Sequence, residues 1–375
     1  MKMKWVFWIS AALVVYSYFG YPLWLWLRSR WSPRPVRRGA GEPAVSAVMV
    51  VRNEEAAIAR KLDNLLGLDY PAEKLEVVVV SDGSNDGTGA VLARYGGDGR
   101  VRTMLKPDSR GKAAGLNYAI EGARGEVLLF TDARQQIERG ALRLLVENFA
   151  DPEVGAVSGE LMLGDPASGE AGKGMGMYWR VEKKIRELES ASGSVAGATG
   201  AIYCARKDLA GPLPEGTILD DVLLPMQVVR RGGRVVFDSR ARAWDSPNLG
   251  DRREFSRKVR TLSGNYQLLQ LAPWLLGREN SIRFEFVSHK LSRLAVPFAL
   301  VGLLISSLFL PQPFYRAALA AQLGFYALSL VALGGFKIGP LTRVADAART
   351  FVVLNSAAMV AFVNFVTGRK AVWVR

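Results

Sequence analysis

Two short apolar runs in this chain each end in an aspartate. Val77–Val80 leads into Ser81, Asp82, Gly83 and Ser84, and Val127–Phe130 leads into Thr131, Asp132, Ala133 and Arg134. A continuous, mostly β-branched or aliphatic run bounded by turn residues reads as a strand buried on both faces, the kind found in parallel sheets. In an open α/β sheet ligands bind beyond the carboxyl ends of such strands, where both aspartates fall. Asp82 is thereby placed to hydrogen-bond a base or ribose, and Asp132 to hold a divalent ion that bridges phosphates. Each carboxylate taken alone also suits an ordinary turn or a helix cap. The pair, with Lys112 between them in the chain, favours a metal and nucleotide site. Lys112 stands in SRGKAAGLN, residues 109–117. There Gly111 and Gly115 allow close backbone approach and the ammonium offers phosphate a point charge, but the Walker spacing is missing.

The elements that must position these groups alternate in type. A first buried strand, Val45–Val51, ends at Arg52, Asn53, Glu54 and Glu55, and a helix follows through Leu66 until Tyr70-Pro71 breaks the pattern. After the strand to Asp82 come a helix near Gly89–Tyr95, an edge strand at Val101–Leu105, a helix to Ala123 and the strand to Asp132. This order predicts an α/β fold, a mostly parallel sheet with helices on both faces. Farther on, Thr217–Asp221 (TILDD) precedes a helical run through Arg231 and then Gly232-Gly233. Acidic residues at a helix start, here Asp220 and Asp221, are also favoured by the helix dipole. Glu182–Glu189 reads as a solvated, charged helix face. On composition alone Gly197–Tyr203 (GATGAIY) is a flexible loop. His289 is the only histidine, and a satisfied or exposed histidine beside a membrane fits it better than a catalytic one.

Apolar residues make up 49% of the chain beside a formal charge of +14, and the apolar excess lies at the two ends. Trp5–Leu27 carries no charge and is long enough to cross a bilayer core, with Trp and Tyr rings at its edges. Lys2 and Lys4 precede it, and Arg28, Arg30, Arg34, Arg37 and Arg38 follow. The heavier positive flank places the N-terminus outside and the middle region in the cytoplasm. Leu294–Leu310, Ala317–Phe336 and Phe351–Val366 read as further crossings, separated by Pro311, Pro313 and Arg316 and then by Lys337, Arg343, Asp346 and Arg349. Three such crossings leave Arg369, Lys370 and Arg375 outside, against the charge rule. Either one segment is re-entrant or the rule fails here. The juxtamembrane arginines suit an anionic leaflet, and no nucleic-acid motif accompanies them, so membrane lipids rather than nucleic acid are the expected partners. Cys204 is the only cysteine, which excludes a disulfide framework and a cysteine-rich metal site.

Taken together, VMVVRNEE (48–55), VVVVSDGSNDGT (77–88), GKAAGLN (111–117) and FTDAR (130–134) resemble the ordered motifs of membrane-bound family 2 glycosyltransferases, the cellulose, chitin and hyaluronan synthases among them. The resemblance covers about residues 44–265. It implies a GT-A type fold flanked by transmembrane helices, with Asn53, Glu55, Asp82, Lys112, Asp132 and Arg134 on the nucleotide-sugar donor and Asp132 on Mg2+ or Mn2+. It implies that Asp221 is the general base, supported by Asp220, and that Gly197, Thr199 and Gly200 line the acceptor. RKVRT at 257–261 is similar to the family's Gln-Arg-x-Arg-Trp segment, which assigns Arg257, Lys258 and Arg260 to the leaving diphosphate. Two departures stand out. Arg134 occupies the place of a second acidic residue, and it can contact phosphate directly. Thr261 occupies the place of the tryptophan, which weakens the case for a long-polymer synthase.

The implied organisation is a transmembrane helix (1–30), a linker (31–43), a cytoplasmic nucleotide-sugar domain (44–250), interfacial amphipathic helices (251–290) and a C-terminal region of about three membrane helices (291–375). The implied activity is inverting transfer of a hexose or N-acetylhexosamine, UDP-linked, to a lipid-linked or polysaccharide acceptor at the bacterial inner membrane. Its rivals are a processive exopolysaccharide synthase and a membrane sensor that binds nucleotide sugars without turnover. A sensor needs no base, so Asp221 speaks against it. Oligomeric state is left open.

Overall fold

The computed structural model describes residues 1–164, 177–245, 251–336 and 339–369. Of the flanking charges named above, Lys337, Lys370 and Arg375 lie outside the described residues.

Among the described residues, the middle of the chain forms one eight-stranded sheet. Its strands are β1 (Val45–Val51), β2 (Leu75–Asp82), β3 (Val101–Lys106), β4 (Val127–Phe130), β5 (Gln136–Ile137), β6 (Val154–Leu163), β7 (Tyr203–Arg206) and β8 (Arg234–Asp245). The order is β3-β2-β1-β4-β7-β6-β8-β5, with β3, β2, β1 and β4 parallel and β7 antiparallel to both β4 and β6. β8 returns parallel to β6, and β5 pairs antiparallel with β8. The expected parallel arrangement thus holds through β4, and a mixed half completes the sheet.

Alternation along the strands divides the core in two, because successive side chains point to opposite faces. Ala47, Met49, Val77 and Val79 pack on Ile58, Leu62 and Leu65 of α2 (Glu55–Leu66), while Val48, Val78, Val80 and Leu128 pack on Leu116 and Ala119 of α4 (Lys112–Gly122). The remaining helices of this layer are α3 (Thr88–Arg94), α5 (Ala141–Val146), α6 (Met177–Ser192) and α7 (Asp220–Arg230). The chain runs from β1 outward through β2 to β3, then returns to place β4 on the other side of β1. The strand order therefore reverses between β1 and β4, and a crevice opens beyond their carboxyl ends.

Among the described residues, four helices are long and apolar enough to cross a membrane: α1 (Lys2–Trp31), α9 (Arg283–Phe309), α10 (Pro313–Leu333) and α11 (Thr342–Val366). Their number matches the four expected crossings, but all four begin earlier than the apolar runs did, and Pro313 and Arg316, expected between two crossings, lie in the first turn of α10. Arg343, Asp346 and Arg349, expected in a connecting loop, lie in the first turns of α11. The basic helix α8 (Asp251–Leu271) packs on α11, with Val259 against Ala357 and Ala361 and the Tyr266 ring stacked on Phe365.

The charged face of α6 corrects the expectation of a solvated surface. Glu189 is 1% exposed and its Oε1 accepts from Tyr21 Oη of α1 at 2.6 Å and faces His289 Nδ1 of α9 at 2.8 Å. His289 Nε2 faces Glu182 Oε1 at 2.8 Å, and Arg293 donates to Glu182 Oε2 at 2.6 Å. His289 is satisfied, as expected, and its two carboxylate partners come from a helix a hundred residues earlier. Burial alone would raise the Glu182 carboxyl; the charges of Arg293 and His289 outweigh it and hold the group well below the usual range. Removing one partner of such a network leaves buried charge uncompensated, at a cost of about 3–5 kcal/mol. His289→Ala is therefore expected to lower the thermal midpoint in detergent markedly, and His289→Gln, which can serve one carboxylate, to lower it less.

Candidate functional site

A cavity of about 750 Å³ occupies the crevice and extends from Asp82 past Asp132 and Asp221 to α6. Its first wall is built by the turns after β1 and β2. Asn53 has a φ of 55°, a left-handed conformation that Asn adopts more readily than most residues. This lets its backbone N–H donate to Ser84 Oγ at 3.1 Å while its Oδ1 accepts from Asn85 N–H at 2.9 Å. Asp82 Oδ1 accepts from Arg110 N–H at 2.8 Å, and Oδ2 accepts from Ser109 Oγ at 2.7 Å and Gly111 N–H at 2.9 Å. The carboxylate has about four lone-pair sites, so one remains for a ligand. Asp82 thus closes the 109–111 turn over the cavity as well as lining it.

Gly83 makes this closure possible. Its φ is +66°, and a Cβ there would lie 2.6 Å from the Ser109 backbone nitrogen. Gly83→Ala is expected to push the 109–111 turn off Asp82 and to weaken nucleoside diphosphate binding about tenfold or more, since strain of about 1–3 kcal/mol enters at the ligand wall. Calorimetric titration with UDP and GDP reads this effect.

The second wall carries the charges. Lys112, the first residue of α4, places Nζ 2.9 Å from Asp132 Oδ1 and 3.0 Å from Asp220 Oδ2. Burial works against this ammonium, but Asp132 and Asp220 overcome it, and its pKa is raised. The Lys112 segment is a helix start, with Gly111 at the N-cap position and a φ of 90°. Gly115 lies against Val50 of β1 and seats the helix on the sheet, away from any ligand.

Asp221 stands beside this triad at the first turn of α7, where Gly200 N–H donates to its Oδ2 at 3.0 Å. A Cβ on Gly200 would stand 3.4 Å from Asp221 Oδ2 and 3.5 Å from Asp132 Oδ2, so the two carboxylates converge on this glycine. Burial, with the charge of Asp220, pushes the Asp221 carboxyl up to about 6, against the opposing pull of Lys112. A half-buried carboxylate so tuned can take a proton near neutral pH.

Most of the expected site residues line the cavity: Asn53, Asp82, Lys112, Asp132, Arg134, Thr199, Gly200, Asp220, Asp221, Arg257 and Arg260. Three stand elsewhere. Glu55 turns away, its Oε2 accepting from Gly87 N–H at 3.0 Å. Gly197, at a φ of +114°, packs on Val222. Lys258 donates to Glu254 Oε1 at 2.6 Å, on a different face of α8 from Arg257 and Arg260. Glu54, not singled out by spacing, lines the cavity instead of Glu55. Burial raises its pKa, with Arg134 opposing and Asp132 adding to the rise, so these three groups share one electrostatic environment. Trp179, Glu182, Lys183 and Arg186 of α6 close the far end.

No group of three or more His, Cys, Asp or Glu residues that could hold a metal ion occurs among the described residues. The Asp132 side chain is 40% exposed within the cavity. That carboxylate fits a hard divalent ion that takes one protein oxygen and completes its shell with phosphate oxygens and water. It does not fit an all-protein metal cage.

Residues 46–210 match the model of glycosyl transferase family 2. Over 192 residues the chain is 27% identical to the beta-monoglucosyldiacylglycerol synthase of Synechocystis sp. (strain ATCC 27184 / PCC 6803 / Kazusa), covering 50% of this chain and 40% of that protein. Over 232 residues it is 25% identical to the poly-beta-1,6-N-acetyl-D-glucosamine synthase of Staphylococcus aureus (strain COL), covering 60% of this chain and 55% of that protein. The chain thus spans about half the length of the curated relatives it matches. Among solved structures, the mannosyltransferase PcManGT from Pyrobaculum calidifontis, in complex with GDP-Man and Mn2+, superposes with a TM-score of 0.73 at 24% identity, covering 97% of this chain and 100% of that one. This likeness shows a shared fold, of GT-A type.

Proposed function

From the premise that the chain carries a family 2 glycosyl transferase domain on a GT-A type fold, we propose that it is an inverting glycosyltransferase acting at a membrane surface. The observation that carries this reading is Asp221, raised to about 6 in the same cavity as Lys112 and Asp132. The donor is a nucleotide sugar, UDP-linked, carrying a hexose or N-acetylhexosamine. Its nucleoside lies in the wall made by Asn53, Asp82 and the 109–111 turn. Its diphosphate lies toward Lys112, Arg134, Arg257 and Arg260. Asp132 would hold a divalent ion, Mg2+ or Mn2+, whose charge neutralises the diphosphate.

In the reaction, Asp221 takes the proton of an acceptor hydroxyl as that oxygen attacks the anomeric carbon. The bond from that carbon to the diphosphate oxygen breaks on the opposite face, so configuration inverts. The proton remains on the Asp221 carboxyl, and the cations of Lys112, Arg257 and Arg260 receive the charge that develops on the leaving diphosphate. Electrostatic stabilisation by such fixed charges is commonly the largest contribution to catalysis.

The cavity ends at α6, whose Glu182 and Glu189 bind groups on the candidate membrane helices α1 and α9. This supports an acceptor presented at the bilayer, lipid-linked or polysaccharide. The four apolar helices, with the arginines after α1, support an integral protein of the bacterial inner membrane with its sheet domain in the cytoplasm.

Release of nucleoside diphosphate by the protein in lipid, across a panel of UDP and GDP sugars with Mg2+ or Mn2+ and with neutral glycolipid, diacylglycerol and polyprenyl phosphate acceptors, tests the proposal. Metal-dependent turnover of one donor is expected. Sugars that bind without turnover under every acceptor would favour a sensor. A ladder of products in place of a single addition would favour the processive reading.

A further inference from the structure

α2 presents Ile58, Lys61, Leu62 and Leu65 to the sheet, the spacing of a helix face buried in a core. A lysine in that stripe is out of place. Lys61 is 0% exposed, and burial lowers its pKa to about 7, with only the charge of Asp132 pulling it back up. An apolar side chain would fill the space without this penalty.

Its partners show what the ammonium does there. Nζ donates to Thr131 Oγ1 at 2.7 Å and to the Gln135 carbonyl at 2.7 Å, the two ends of the turn that presents Asp132 and Arg134. Each end is tied in turn to another part of the site. Thr131 Oγ1 donates to the Ala201 carbonyl at 2.8 Å, next to the Gly200 amide that holds Asp221. Gln135 Nε2 donates to Asp245 Oδ2 at 2.9 Å, and Arg257 faces the same oxygen at 4.0 Å. One buried lysine amine therefore stands behind the carboxylate at the metal position, the base and a diphosphate arginine, and touches none of them.

We propose that Lys61 is a positioning residue of the transferase site: by bridging Thr131 and Gln135 it holds the 131–135 turn so that Asp132 and Arg134 meet the donor diphosphate. This rests on the transferase reading above. A ligand group displaced by about 1 Å can cost a factor of about 100 in rate, and the turn has no other buried side-chain cation at its back among the described residues.

Lys61→Met keeps length and burial and removes the charge. The expected result is a thermal midpoint no lower than wild type, Mn2+ affinity in the presence of UDP or GDP reduced about tenfold or more, nucleotide affinity without metal unchanged, and kcat reduced about tenfold or more. A folded Lys61→Met protein with wild-type Mn2+ titration and kcat overturns the proposal. If that variant does not fold, Thr131→Val decides: it keeps the ammonium and removes the acceptor hydroxyl, and wild-type Mn2+ affinity in it overturns the proposal equally. Wild-type protein that binds nucleotide and Mn2+ but transfers no sugar refutes the transferase reading, and the titration then judges Lys61 alone. Wild-type protein that binds neither overturns both.

Discussion

Asp221→Asn is expected to lower kcat by about 10²–10⁴, the range that a positioned general base contributes, while binding of the nucleotide sugar persists. Asparagine keeps the size of the side chain and can still accept from Gly200 N–H, so the wall of the cavity stays in place and only the proton acceptor is lost. The pH dependence gives a sharper reading. The base is active as the carboxylate, and its pKa lies at about 6, so wild-type rate should climb about tenfold per pH unit below that value and level off above it. The variant should show no such limb. Stability moves the other way. The folded-state value is raised above the ordinary 3.8, so ionising Asp221 costs stability, and that cost sets in as pH rises from about 4 through about 6. At pH 8 the asparagine variant should melt no lower than wild type. A variant that unfolds early would mean that Asp221 acts through the fold, and one that keeps its rate would remove the base from the mechanism.

Lys112→Met should be as damaging to the rate and should differ in every other readout. The substitution removes both ion pairs and leaves Asp132, Asp220 and Asp221 with no shared cation between them. Loss of one charge that stabilises the developing diphosphate costs about 10²–10³ in kcat. Because the Lys112 charge lowers the Asp221 pKa, its removal should move any residual acid limb above pH 6. Because its own pKa is raised in the fold, the ammonium stabilises the protein at every pH below the ordinary lysine value and loses that effect only at higher pH. The variant should therefore melt lower at neutral pH, by about 3–5 kcal/mol of stability for a broken buried pair. Adding Asp220→Asn to Lys112→Met relieves part of the repulsion. The double variant should regain melting temperature and no activity, which separates the structural from the catalytic part of the lysine.

The strands and the acids at their ends were readable in the sequence because a strand covered on both faces must be apolar throughout and must stop where turn residues begin. That physical rule placed β1, β2 and β4 and brought Asp82 and Asp132 to the same edge of the sheet. The family motifs brought Asp221, Arg257 and Arg260 to the same cavity. The failures share a different cause. Glu55 was expected at the site, but Glu54 lines the cavity and Glu55 turns toward Gly87, after the left-handed turn at Asn53. Lys258 lies between Arg257 and Arg260 in sequence, but on a helix neighbours one apart face different directions, and the packing of α8 on α11 selects the face.

Local sequence determined part of the backbone of this protein: where β1 to β4 run and which segments are apolar enough for a bilayer. What only the tertiary structure decided is which charges are paired. Glu182 and Glu189 read as solvated because a helical run of mixed charge suits an exposed face, and the partners that bury them come from α1 and α9. Nothing in the local sequence marks Lys61, and it is buried under a turn seventy residues later. A charge becomes structural or catalytic through neighbours that arrive across the fold, since Coulomb and hydrogen-bond energies depend on distance in space and on exclusion of water.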